Sequence, residues 1–203
     1  VADALDTDTG EVIESGAVLG IEGTINEDLS GQNINRDSGY GGNGNLVDID
    51  TSNLTVVGVT STNAGDSTPT LSLGNRQTLR ANADGITLRN LDIEEPGSAG
   101  RTVDLAGDDI TANGLSISKT DVGDGGSPGT AGPHIQSNGA DVTITNCDLQ
   151  GSPIGLNAAS ESATVINNSI QDVKSEGIFL FSCPDLKSIE LTGNLVDNHN
   201  TGG

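Results

Sequence analysis

Along most of the chain, apolar residues recur in one eight-residue pattern. Five segments align without gaps: Ile86–Ile93 (ITLRNLDI), Ile110–Ile117 (ITANGLSI), Val142–Leu149 (VTITNCDL), Ala163–Ile170 (ATVINNSI) and Ile189–Val196 (IELTGNLV). Leu54–Val59 (LTVVGV) is a shorter, sixth match. The first and third positions are apolar, the alternation of a half-buried strand. The fifth is Asn90, Gly114, Asn146, Asn167 or Gly193. Asn and Gly tolerate positive φ, so the chain is expected to bend sharply there, in the left-handed region, coil upon coil. Alternation then resumes in opposite phase, with Leu91/Ile93, Leu115/Ile117 and Cys147/Leu149 directed inward.

A third short strand precedes several units: Val103–Leu105, Ile154–Leu156 and Ile178–Leu180. Three strands in about 24 residues, in coils stacked about 4.8 Å apart, predict an all-β parallel solenoid. About six coils are expected, occupying residues 44–203. Residues 1–43 fall outside the repeat and are expected to form an N-terminal cap or attachment segment. Within them, Asp6–Val12 resembles a hairpin turn with flanking strands, Ile21–Ile25 a strand and Ser38–Gly44 a Gly-rich linker or loop. Ser61–Pro69 and Thr120–Pro133 are expected to be loops thrown out from the coil.

Composition narrows the setting. The 203 residues include 29 Asp+Glu against 8 Lys+Arg, for a formal net charge of −21. Eight positive groups in such a field cannot neutralise a phosphate backbone, so nucleic acid is not an expected partner. No apolar run approaches the roughly 20 residues of a membrane-spanning helix, so membrane insertion is not expected either. An acidic surface with three Lys and 1% aromatics stays soluble at salt concentrations that screen its self-repulsion. The chain begins at Val1 and contains no Met, as expected of a processed product or a piece of something longer. The sequons Asn53-Leu54-Thr55 and Asn167-Asn168-Ser169 make Asn53 and Asn167 candidate glycosylation sites and fit an extracellular, cell-surface or virion location.

The repeat over residues 44–198 is similar to the right-handed parallel β-helix repeat of pectate lyases, polygalacturonases and viral tailspikes, and the composition resembles that of haloarchaeal proteins. The resemblance implies the fold but not one activity, because the scaffold hosts many. The enzyme motifs depart from the pattern. Asn200-Thr201-Gly202-Gly203 lacks the Asp of the polygalacturonase Asn-Thr-Asp motif, Gly132-Pro133-His134 does not reproduce Gly-His-Gly, and no Arg-x-Pro-x-x-Arg lyase motif is present. No catalytic residue is therefore assigned. The leading expectation is a non-enzymatic surface scaffold from a high-salt environment, serving as a spike, fibre or glycan-binding element. The alternative is a polysaccharide lyase or glycoside hydrolase. No cofactor is expected beyond Ca2+ or a structural cation. The expected partners are surface glycans and further copies of the chain, for instance in a trimer, or the rest of a larger assembly.

The candidate ligand residues come from the predicted outward positions. Asp92, Ser116, Asp148 and Ser169 form one column, and Glu94, Ser118, Gln150, Gln171 and Asp197 a second beside it. Asp92, Asp148, Gln150 and Gln171 could bind sugar hydroxyls or a cation, or simply be solvated. Asp108 and Asp109, the only adjacent Asp pair, are either acid/base or calcium ligands or a solvated turn. Arg76, Arg80, Arg89 and Arg101 cluster in sequence and suit either an anion or ion pairing with nearby acids. Phe179 is expected to point outward. His134 and His199 do not suggest zinc. Cys147 and Cys183 are expected to lie two coils apart, about 9.6 Å, beyond the roughly 7 Å limit for a disulfide.

Overall fold

In the computed structural model, the described residues are 13–27, 46–60, 69–73, 78–95, 101–119, 134–151, 153–157, 161–173, 176–181, 183 and 186–197. They form a coil that repeats three strands per turn. The first turn is β1 (Val18–Ile21), β2 (Thr24–Glu27) and β3 (Leu46–Ile49). The second is β4 (Thr55–Gly58), β5 (Thr70–Leu73) and β6 (Thr78–Ala81), and the third β7 (Thr87–Arg89), β8 (Asp92–Glu95) and β9 (Val103–Leu105). Next come β10 (Thr111–Asn113), β11 (Ser116–Lys119) and β12 (Ile135–Ser137), then β13 (Val142–Thr145), β14 (Asp148–Gln150) and β15 (Ile154–Asn157). The sixth turn is β16 (Ser162–Ile166), β17 (Ser169–Gln171) and β18 (Ile178–Phe181), and a seventh is begun by β19 (Ser188–Thr192) and β20 (Leu195–Asp197).

Each strand pairs in parallel with the strand three places on, which yields three sheets along the axis. The first sheet runs β1-β4-β7-β10-β13-β16-β19, the second β2-β5-β8-β11-β14-β17-β20 and the third β3-β6-β9-β12-β15-β18. The aligned octads stack residue on residue: Thr87 on Thr111, Thr111 on Thr143, Thr143 on Thr164. Inward residues fill the interior. Ile86, Ile110 and Val142 are buried, as are Leu88, Ala112, Ile144 and Val165 from the first sheet. Ile93, Ile117, Leu149 and Ile170 come from the second sheet and Val103, Ile135 and Ile154 from the third. The solenoid and the six-coil expectation hold for the described residues.

The boundary at residue 44 does not. Val18 lies on Thr55 and Thr24 on Thr70, so β1 and β2 are rungs of the same coil rather than part of a cap. The expected Ile21–Ile25 strand is instead two strands with Gly23 at positive φ between them. The octad missed this turn because VLGI carries no Asn or Gly at the corner position. The hairpin at 6–12, the Gly-rich 38–44 and the loops 61–68 and 120–133 lie outside the described residues.

The corners obey the expected chemistry. Between the first and second sheets, Asn90, Asn146 and Asn167 have φ of 54°, 54° and 55°, and Gly114 and Gly193 have 64° and 66°. Their amides continue the coil-to-coil ladder, Asn90 N–H donating to the Asn113 carbonyl at 3.0 Å and Gly114 N–H to that of Thr145 at 2.9 Å. A second left-handed column, between the third and first sheets, holds Asn53, Gly85, Asp109 and Asp141. The columns interlock through size: a Cβ on Gly193 would strike the Asn167 side chain, and one on Gly139 would overlap the Gly107 carbonyl oxygen.

Two substitutions follow. Asn146→Ala is expected to lose about 1–2 kcal/mol relative to Asn146→Gly, because alanine resists the left-handed corner. Gly139→Ala is expected to lose about 1–3 kcal/mol by forcing neighbouring backbones apart. Denaturant unfolding monitored by far-UV circular dichroism reads both.

Candidate functional site

The outward face of the second sheet carries the columns expected from sequence. Asp92, Ser116, Asp148 and Ser169 lie in register, as do Glu94, Ser118, Gln150, Gln171 and Asp197. Asp92 and Asp148 are two coils apart with Ser116 between them, about 9.6 Å along the column. Partial burial raises the Asp92 carboxyl above its ordinary value, and a hydrogen bond from Ser116 works against that. Gln150 donates to Asp172 at 3.4 Å and Gln171 to Ser169 Oγ at 2.9 Å. Along this face the two carboxylates of the first column remain on separate coils.

Asp108 and Asp109 occupy the corner before β10. Asp109 sits at φ 55° in the left-handed column. Asp108 Oδ1 accepts the Ala140 amide at 2.8 Å, and the Asp108 amide donates to Asp84 Oδ1 at 3.0 Å. This carboxylate ladder ties three successive coils together.

The most concentrated polar chemistry lies elsewhere, on the outward face of the third sheet. Parallel register stacks Asp48, Arg80, Asp104, Gln136, Gly155 and Phe179 in its central column. Asp104 is only 1% exposed although it points away from the core. Its Oδ2 faces Arg101 Nη1 at 3.4 Å and Arg80 Nε at 3.9 Å, and Arg80 Nε lies 3.9 Å from Asp48 Oδ1. Asn138 donates through Nδ2 to Asp104 Oδ1. Asn138 Oδ1 in turn accepts from Gln136 at 3.0 Å and from Asn157 at 2.6 Å. On the flank of this face, buried His134 donates from Nε2 to the Gln150 carbonyl at 2.6 Å. A carbonyl only accepts, so Nε2 carries a proton, and Nδ1 lies 3.2 Å from the Thr102 hydroxyl.

A family model described as a right handed beta helix region matches residues 47–203. The chain belongs to the right-handed β-helix family. The match begins within β3, so β1 and β2 extend the β-helix ahead of it. No curated protein matches the chain, and no solved structure does.

Of the sequence candidates, the β-helix brings Arg80 and Arg101 together on Asp104, while Arg89 lies exposed on the first sheet and Arg76 lies outside the described residues. Ion pairing therefore engages two members of the arginine cluster. Phe179 does face outward, in the third-sheet column. Val103 and Leu105 mark a strand in the sequence, but the single Asp104 between them carries no signal of its own in so acidic a chain. Gln136 and Asn138 carry no sequence signal because β12 stands apart from the octads, after the long 120–133 stretch. Among the described residues, no three His, Cys, Asp or Glu groups form a metal-holding cluster; His199 lies outside them.

Asn53 and Asn167 are exposed corner residues, whereas Leu54 and Asn168, the middle residues of their sequons, are buried in the coil. Asn168 anchors a polar ladder. Its Oδ1 accepts the Cys147 amide at 2.9 Å, and its Nδ2 donates to the Ile144 carbonyl at 3.0 Å and to Asn194 Oδ1 at 2.9 Å. Cys147 and Cys183 are both free thiols, but they are not two coils apart: Cys147 lies between the first and second sheets in the fifth turn, and Cys183 follows β18 of the third sheet in the sixth. Burial pushes the Cys147 thiol up to about 11, against opposing backbone hydrogen bonds to Leu115, Gly114 and Thr145.

Asp104→Ala is expected to cost about 1–3 kcal/mol in unfolding free energy by leaving Arg80, Arg101 and Asn138 without their shared acceptor. Under non-denaturing conditions near pH 8, a thiol reagent is expected to modify the half-buried Cys183 well before Cys147, read by intact-mass spectrometry.

Proposed function

We propose that this β-helix is a rigid, non-enzymatic recognition or structural element of an extracellular, cell or virion surface in a high-salt setting. The observation that supports this most directly is how the carboxylates of the corner and of the third sheet are employed. Asp108 and Asp109 hold a corner, and Asp104 is consumed by two arginines and an asparagine. The polar groups bind coil to coil, which yields a stiff body with polar columns on its faces. The Asp92/Asp148 and Gln150/Gln171 columns offer evenly spaced acceptors and amides suited to neutral glycan hydroxyls. The carboxylates among them also suit a bridging Ca2+. Exposed Asn53 and Asn167 are the positions at which the chain itself would carry glycans.

A lyase or hydrolase reading draws on one observation, the concentration of Arg80, Arg101, Asp104, Gln136 and Asn138 on one face. A glycan array, followed by incubation of bound polysaccharides and assay for new reducing ends or unsaturated products, separates the two. Binding without turnover, weakened by Gln150→Ala and Gln171→Ala, is expected. Turnover abolished by Asp104→Asn in a folded variant would establish the enzyme reading instead.

The high-salt setting has its own test. At −21, the chain repels itself in dilute buffer, and molar salt shortens the Debye length to about 3 Å. The melting temperature is expected to rise steadily from dilute buffer to molar NaCl in a salt-series thermal melt.

A further inference from the structure

We propose that buried His134 is a positioning residue for the second-sheet face, clamping the bend that carries Gln150 so that its side-chain amide stands fixed for a glycan. The role rests on the recognition reading above, the clamp on geometry alone. His134 is fully buried and immediately precedes β12 of the third sheet. Its ring crosses to the end of the second sheet, where Nε2 donates to the Gln150 carbonyl at 2.6 Å. Its backbone amide donates to the Pro153 carbonyl at 3.0 Å. One residue therefore holds both ends of the bend between β14 and β15. The clamp is itself anchored in the preceding coil. The His134 carbonyl accepts from the Val103 amide at 2.7 Å, and Nδ1 lies 3.2 Å from the hydroxyl of buried Thr102.

This bend has little else to brace it. Only residues 151–153 separate β14 from β15, whereas residues 120–134 separate β11 from β12. Gly151 turns the chain at φ 97° and brings no side chain of its own to the corner. From the following coil, the ladder supplies one contact, the Gly151 amide donating to the Gln171 carbonyl at 2.9 Å. His134 supplies the contacts from the preceding coil. What the clamp holds is an acceptor. Gln150 is exposed, and its Nε2 donates to Asp172 Oδ2 at 3.4 Å. With Nε2 turned to Asp172, Oε1 is the end of the amide that meets a ligand, as acceptor for a sugar hydroxyl. Having to order one such side chain on binding costs about two- to tenfold in affinity, a loss the clamp removes.

Nuclear magnetic resonance of the 203-residue chain tests the clamp, and binding of the neutral sugars cellohexaose and maltohexaose tests its use. In the wild type, the His134 Nε2 proton is expected to exchange slowly with solvent and the Gln150 side-chain amide to relax as an ordered group. His134→Leu should set that amide in motion. His134→Gln keeps a side-chain N–H donor and should leave it ordered, as should Gly139→Ala, which destabilises the coil at a different corner. Affinity for a sugar that the wild type binds is expected to fall about two- to tenfold in His134→Leu and to stay near wild type in His134→Gln. An equally ordered Gln150 amide in folded His134→Leu, or the same mobility in Gly139→Ala, would overturn the proposal. Should His134→Leu fail to fold, the wild-type Nε2 proton decides: slow exchange sustains the clamp, and exchange as fast as that of a solvent-exposed imidazole overturns it. Binding weakened by Gln150→Ala but not by folded His134→Leu would overturn the positioning role and leave the recognition reading standing. Should the wild type bind neither sugar, the recognition reading loses its support at this face, while the order of the Gln150 amide still decides the part played by His134.

Discussion

Parallel backbone pairing between one coil and the next is the constraint on which everything else in this molecule depends. In a parallel ladder, equivalent residues of successive turns lie directly over one another, so each turn must return at the same height and angle. That demand falls on the corners. Asn90, Gly114, Asn146 and Asn167 meet it by adopting the left-handed conformation while keeping their amides in the ladder, and Gly193 adopts the same conformation above Asn167. Once the corners are fixed, Ile86, Ile110 and Val142 stack without choice, and so do the threonines outside. A small residue opposite a larger one, as with Gly193 and Asn167, is then a steric necessity.

Stacking also explains why polar groups can be buried in so acidic a chain. A side chain at a repeated position meets its equivalents one coil above and below, so polar residues satisfy one another in columns. Asn168 and Asn194 do this under the first corner, and on the third sheet buried Asp104 lies between Arg80 and Arg101 with Asn138 on its other oxygen. Each such column fixes register in a way that a purely apolar stack of similar Ile, Leu and Val residues would not. Slipping by one residue would leave Asp104 buried without its arginines, at a cost well above that of misplacing a methyl group.

What could be read from the sequence follows from which strands carry the corner signal. The first and second sheets flank the Asn/Gly corner, so octads such as ITLRNLDI expose both strands and the bend together, and the second-sheet columns of Asp92 and Asp148 follow directly. Strands of the third sheet are only three or four residues long and stand at variable distances from the octads. Val103–Leu105 was legible through its alternation, whereas Leu46–Ile49, Thr78–Ala81 and Ile135–Ser137 were not. The polar cluster on that sheet could not be assembled with half of its strands missing. Likewise Asp108 and Asp109 stand out in sequence because two carboxyls adjoin, yet the position is a corner, where Asp serves the backbone. The first turn escaped because Val18–Ile21 lacks the Asn or Gly corner that marks the later ones.

Register is the central claim, and paired cysteines on the solvent-facing threonine column measure it most directly. In a Cys183→Ser background, Thr111→Cys with Thr143→Cys joins adjacent coils whose Cα atoms are about 4.8 Å apart, within disulfide reach. Thr87→Cys with Thr143→Cys spans two coils, about 9.6 Å, and is out of reach. Mild oxidation should close the first pair without loss of stability and leave the second reduced. Failure of the first pair to close, or ready closure of the second, would contradict the coil register and the faces built upon it.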